Sequence, residues 1–303
     1  MPQPGTAVLV QRAFDVGRVV PGFNIPFLPM MAPVVRALRD CDCVGLVMVA
    51  RLEWEKFGAG GLEAIRDEYE RVKDERFTRL HLDHVPVIDE DGLQVDYEAI
   101  LTRAVDLGYG SVMVDGSRLS TAENMAATKR IVAMAHAADV PVEAELGAVL
   151  GHEAGPLPPY EELFASGRGF TDPAEARRFV EGTGCDWLSV AVGNVHGAIS
   201  EAARDRKKVA ARVNIPHLRA IRDAANVPLV LHGGTGIRRA FIREAVRNGI
   251  AKINVATAIR QPYMPLMDAS VERAQEAVYD AATRVIREDL DAAGSARIIN
   301  PDA

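Results

Sequence analysis

The sequence predicts an α/β fold, a (β/α)8 TIM barrel with additional C-terminal helices, and three observations lead there. Apolar, β-rich runs recur at intervals too long for hairpins. Stretches with apolar residues at i, i+3, i+4 and i+7 separate them, as in an amphipathic helix. Glycines or Gly-Gly pairs follow several of the runs, as in GFN, DGS, ELG and HGG. Runs that are apolar throughout, rather than alternating, are buried on both faces, which means a parallel sheet with helical crossovers. Eight of them favour a closed barrel over an open sheet, and no Gly-x-Gly-x-x-Gly follows an early strand to argue for dinucleotide binding.

In chain order the expected strands are VVPGFNI (19–25), VGLVMVA (44–50), LHLDHV (80–85) and SVMVDG (111–116). VPVEAELG (140–147), WLSVAVGN (187–194), VPLVLHGG (227–234) and AKINVA (251–256) repeat the rhythm. YEAILTRAVDLG and ENMAATKRIVAMAHAA are crossover helices by their apolar spacing. Two excursions interrupt the pattern. Residues 150–170 are rich in Gly and Pro and read as a long loop at the mouth, a lid, ahead of a helix opened by Thr171, Asp172 and Pro173. Residues 264–293 read as one or two extra helices that cover the barrel or meet another subunit. The whole chain, 1–303, is expected to be a single barrel domain.

Bulk properties narrow the function. A formal charge of −7 and only a short, mixed basic cluster from Arg204 to Lys208 argue against nucleic acid as a partner. No apolar segment reaches the roughly 20 residues of a membrane span, and the N-terminus lacks the basic region and cleavage site of a signal peptide. A cytoplasmic setting is the expectation. Cys41, Cys43 and Cys185 form no ligand set and are expected to be buried, inert thiols.

Chemistry concentrates at strand ends. His84, His196 and His232 close strands three, six and seven, and strand ends of a barrel converge on its catalytic face. Three imidazoles there supply the nitrogens of a tetrahedral zinc site with one position open to substrate. His81, His136, His152 and His217 are less well placed, and His136 and His217 fall in helical patterns that favour surface roles. Asp83 alternates with His84 and would face away from it in a regular strand, unless the turn brings both into the mouth. It is either a carboxylate orienting an imidazole or a general acid/base.

HLDH, VMVDGS, VEAELG, GNVHG, LHGGTG and KINVAT, in this order and on these strands, resemble the class II, metal-dependent ketose-bisphosphate aldolases, which cleave fructose or tagatose bisphosphate. The resemblance runs from GFNI at 22–25 through KINVAT at 252–257. It implies that His84, His196 and His232 hold Zn2+, with Co2+, Fe2+ or Mn2+ as substitutes and a monovalent cation as a further candidate ligand. It makes Asp83 the acid/base at the hydroxyl next to the scissile bond and Glu153 the group that protonates the enediolate carbon. Asn24 and Asn254 become substrate-binding residues, and Gly197, Gly233, Thr235 and Thr257 match positions that hold a phosphate. Asp115 and Glu145 match carboxylates used for a second metal position, or serve structure alone. The implied reaction is a retro-aldol cleavage of a ketose phosphate to a donor like dihydroxyacetone phosphate and an aldehyde, through a zinc-stabilised enediolate. The implied assembly is a homodimer or homotetramer.

Several positions depart from that pattern. The run after His196-Gly197 lacks the usual lysine, the second strand ends in Ala50 and Arg51 rather than a serine, and VPVIDEDG follows HLDH as a longer insertion. Ala256 and His152 stand where acids are often found. The expected consequence is a substrate that differs from fructose bisphosphate at the end distal to the phosphate loop. Two rivals stand beside the aldolase: a non-catalytic partner subunit on the same fold, and a zinc hydrolase with Asp83 as base. A Schiff-base mechanism would need a lysine at the mouth, and Lys252, the strand-borne candidate, lies at the start of its strand.

Overall fold

The structure, a computed structural model, describes residues 3–147, 160–194, 211–234 and 237–301. Eight parallel strands close in sequence order: β1 (Val20–Asn24), β2 (Gly45–Ala50), β3 (Thr78–Pro86), β4 (Ser111–Asp115), β5 (Val142–Leu146), β6 (Trp187–Val190), β7 (Leu229–Leu231) and β8 (Ile250–Val255). β8 returns to β1 with Val20 opposite Lys252 and Gly22 opposite Asn254. All eight expected strands are present. β6 and β7 end earlier than their apolar runs, because Gly193 (φ 103°) and Gly233 (φ 68°) take the left-handed region and turn the chain out of the sheet. Asn194 and His232 therefore project from loops just beyond the last paired residues.

Helices α1 (Thr6–Asp15), α2 (Met31–Asp40), α3 (Arg51–Lys56), α4 (Leu62–Val72), α5 (Tyr97–Asp106) and α6 (Thr121–His136) accompany the first half. In the second half lie α7 (Tyr160–Ser166), α8 (Pro173–Thr183), α9 (Ile215–Ala225), α10 (Arg239–Arg247) and α11 (Thr257–Tyr263). Local chemistry starts several of them. Asp96 caps α5, Ser120 and Glu123 form a capping box on α6, and Asn214 caps α9. Asp172 caps α8 with Pro173 at its first turn, as expected. α1 lies across the strands' N-terminal ends, with Thr6 beside Gly110 ahead of β4 and Arg12 near Trp187 at the start of β6.

Beyond the barrel, α12 (Val271–Arg284) continues into a π-helical turn (Val285–Asp289), and α13 (Ala296–Ile299) follows. α12 packs on α2 and α11. There Arg36 pairs with Glu276 at 2.6 Å and lies over the Tyr279 ring.

The barrel interior is polar at its centre. Gly22, Met48, His81, Ser111, Glu143 and Lys252 all face it from successive strands. A methyl group at position 22 would lie 2.4 Å from the Met48 sulfur and 3.5 Å from the Lys252 side chain, so the glycine makes room for both to cross the axis. The three cysteines are buried as expected, and burial pushes the Cys43 and Cys185 thiols up to about 12. Among the described residues no helix is long and apolar enough to cross a membrane.

Candidate active site

Of the two placements open to Asp83, the structure takes the one that brings it and His84 together into the mouth, and the cause is a bulge. β3 pairs Leu82 with Val112 of β4 but next pairs Val85 with Val114, so three steps on β3 match two on β4. His84 absorbs the extra residue at φ 31°, an uncommon conformation for a side chain with a Cβ. Asp83 and His84 consequently both reach the mouth. Asp83 is 1% exposed, and its oxygens accept from Asn24 Nδ2 at 2.9 Å and Asn254 Nδ2 at 3.0 Å. Strands β1 and β8 thus clamp the carboxylate of β3. Burial would raise its pKa, yet the His84, Lys252 and His232 charges outweigh that and hold it well below the usual range.

His84 and His232 meet at the same place, ring centroids 4.5 Å apart. His84 Nδ1 donates to Asp115 Oδ2 at 3.2 Å. His232 Nε2 donates to Glu143 Oε1 at 3.0 Å, and its Nδ1 lies 3.2 Å from Glu145 Oε2. An imidazole whose one nitrogen is held by a carboxylate presents the other to a metal in a fixed orientation. Asn194 adds a support absent from the sequence reading: its amide donates to the His232 carbonyl at 3.0 Å and accepts from Val192 N–H at 2.9 Å.

These residues fit a divalent cation. The ligand atoms of Asp83, His84 and His232 lie within 4.8 Å of one another, and so do those of His84, Asp115 and Glu145. Four carboxyls, Asp83, Asp115, Glu143 and Glu145, gather here, while Lys252 is the one buried ammonium among the described residues. Burial would lower the His84 pKa, but Asp83, Asp115 and Glu145 together push it up to about 10. The site draws positive charge, and an ion would satisfy the same demand.

Beneath this layer sits a charge network that the sequence reading missed. Lys252 Nζ lies 2.8 Å from Glu143 Oε2 and donates to Asn254 Oδ1 at 2.7 Å. His81, expected to be poorly placed, is fully buried there, with Nδ1 2.8 Å from Ser111 Oγ and Nε2 3.7 Å from Glu143. Burial and the Lys252 charge push His81 down to about 3, so it is neutral. Lys252 is the third residue of β8, one interior layer below Asn254 and away from the mouth.

Other expected residues fall as follows. Gly233 lies beside His232 at the mouth, and Thr257 opens α11 directly after β8. His196, Gly197, Glu153, Thr235 and His152 lie outside the described residues. His136 is on the surface, 2.8 Å from Asp186. His217 is half-buried rather than a surface residue, because its Nε2 donates to the Thr171 carbonyl at 2.8 Å and ties α9 to the start of α8. Glu53 of α3 is a further buried carboxyl at the mouth, near Asn24.

The family model for class II fructose-bisphosphate aldolases matches residues 5–297. The solved structure of the YdjI aldolase from Escherichia coli K12 is similar over 97% of this chain and 100% of that one, at 26% identity and a TM-score of 0.75. Fructose-bisphosphate aldolase from Campylobacter jejuni is similar over 94% of each chain at 17% identity and a TM-score of 0.71, a likeness of fold. With a match from end to end and a barrel mouth that gathers imidazoles around a buried acid, the chain belongs to the class II fructose-bisphosphate aldolase family and is a metal-dependent aldolase.

Proposed function

We propose that the enzyme breaks and forms a C–C bond in a ketose phosphate, with Asp83 as the base on the hydroxyl of the scissile carbon. The observation that carries this reading is the carboxylate of Asp83, buried, ionised and held by two amides beside two imidazoles. A carboxylate kept ionised by the charges around it is in the form that accepts a proton, and clamping it from β1 and β8 fixes where that proton must lie.

His84 and His232, with His196, are the residues that would hold the ion. Zinc suits a set of three imidazoles, and cobalt, iron or manganese can take the same donors. When bound, a divalent ion supplies Lewis-acid stabilisation of the negative charge that develops on the donor half's oxygens. Asp83 takes the hydroxyl proton as the hydroxyl oxygen becomes the aldehyde carbonyl. The electron pair of the broken bond stays with the donor half, and Glu153 returns a proton to its carbon. Asn24 and Asn254 keep the Asp83 oxygens in place throughout. Gly233, with Gly197, Thr235 and Thr257, offers backbone and hydroxyl donors to the donor's phosphate, a cradle that needs no cationic side chain.

The test is aldehyde release from a panel of ketose mono- and bisphosphates, together with exchange of the donor's C–H proton into deuterated solvent. Asp83→Asn should lower release by about 100-fold or more, the usual worth of a positioned acid/base, while donor exchange persists. Release within a few-fold of the unaltered enzyme would remove Asp83 from the role. Hydrolysis of an ester or amide without donor exchange would favour a metal hydrolase instead.

A further inference from the structure

Glu53 has no part in those proton transfers, yet its carboxyl is buried at the same mouth. It stands in the first turn of α3, directly after β2, with 7% exposure. Its Oε2 accepts from the Ala50 N–H at 2.8 Å and faces Asn24 Nδ2 at 3.5 Å. The same Asn24 amide donates to Asp83 Oδ2 at 2.9 Å, so one side chain links the two carboxyls. Oε1 has no hydrogen-bond partner among the described residues and is not sealed from solvent. An open oxygen on an otherwise buried carboxyl at the mouth is placed to hydrogen-bond a bound molecule.

Charge decides what kind of molecule fits. Of the nearby cations, Arg51 is paired, 3.6 Å from Asp89 and 3.7 Å from Glu55, while Arg260 stacks on the Phe57 ring. Burial pushes Glu53 up to about 8, with the Asp83 charge adding to the effect against the Ala50 N–H, Asn24 and Arg260. A protonated carboxyl both donates and accepts, which suits a hydroxyl, whereas a phosphate dianion placed there would face this carboxyl and the ionised Asp83 linked to it through Asn24. Asp83 acts on the oxygen that becomes the aldehyde. Glu53 follows β2, while Gly233, where the donor's phosphate is proposed to sit, follows β7.

We infer that Glu53 is a specificity-determining residue that contacts an uncharged hydroxyl on the aldehyde half of the substrate and disfavours a phosphorylated aldehyde. This rests on the aldolase reading above, and it places the substrate among ketose 1-phosphates rather than bisphosphates.

The experiment condenses dihydroxyacetone phosphate with glyceraldehyde and, separately, with glyceraldehyde 3-phosphate, and compares kcat/KM. The unaltered enzyme should favour glyceraldehyde. Glu53→Ala should shift the ratio toward the phosphorylated aldehyde by at least about 10-fold, mainly through KM for glyceraldehyde, the scale of one lost substrate hydrogen bond. Glu53→Gln, which also donates and accepts, should restore most of the preference. If the alanine variant does not fold, Glu53→Asp, which withdraws the carboxyl by one methylene, should show the same loss. Donor exchange by the unaltered enzyme separates the two failures: no exchange overturns the aldolase reading itself. Exchange with a ratio unmoved in the alanine and aspartate variants, or a preference for the phosphorylated aldehyde in the unaltered enzyme, overturns the role of Glu53.

Discussion

Lys252→Met removes the buried ammonium on which the charge network under the site depends. Lys252 and Glu143 are both 0% exposed, with Nζ 2.8 Å from Oε2. At an effective dielectric of about 20, unit charges at that 2.8 Å separation attract by about 6 kcal/mol, a gross figure that the desolvation of both ions largely offsets. What the substitution measures is different: Glu143 stays buried without its ammonium partner, held by the His232 N–H alone, and Asn254 loses the donor at 2.7 Å that orients its amide toward Asp83. Breaking such a pair costs about 3–5 kcal/mol. Methionine matches the aliphatic stem, so cavity formation adds little. Urea unfolding followed by far-UV circular dichroism, at fixed protein concentration, should therefore show a loss of about 3–5 kcal/mol. Adding Glu143→Gln should recover at least about 2 kcal/mol of it, since the orphaned charge is gone. A single variant within about 1 kcal/mol of the unaltered protein, or a double variant with no recovery, would refute the assignment of charge in the barrel centre.

Three further outcomes follow from the same geometry. Asn24→Ala removes one of two amides on Asp83, and losing a hydrogen bond to a charged group, about 1.5–3 kcal/mol, should lower kcat for cleavage by roughly 10- to 100-fold with the fold retained. Borohydride added with a ketose phosphate should leave the protein's mass unchanged; a reduced adduct on Lys252 would assign Schiff-base chemistry instead. Glu53 has a folded-state pKa of about 8 against an ordinary 4.5, so between those values the folded protein keeps a proton that the unfolded chain has released. Stability from this group falls as pH rises through that window, by at most about 5 kcal/mol, and Glu53→Gln should flatten the fall in urea midpoints between pH ~5.5 and ~8.

The strands were legible because a parallel barrel buries each on both faces, which leaves uninterrupted apolar runs such as VGLVMVA and VPLVLHGG. His84 and His232 were legible for a related reason: a polar side chain closing such a run must sit where the sheet opens to the mouth. The bulge at Asp83 was not, since alternation along one strand carries no information about the register of its neighbour. Nor was the network of His81, Glu143 and Lys252, whose members come from β3, β5 and β8 and meet only once the barrel closes. Glu53 was hidden most completely. Nothing in LEWEK marks which of its charges is buried, and Glu53 meets Asn24 of β1 only once the barrel closes.

Metal dependence is tested most directly by stripping the protein with a chelator and titrating zinc, cobalt, iron or manganese back while scoring aldehyde release from ketose phosphates. Release should vanish on chelation and return at about one ion per chain, and His232→Ala should show neither tight binding nor recovery. Full activity in the stripped protein, or in the His232→Ala variant, would contradict the account.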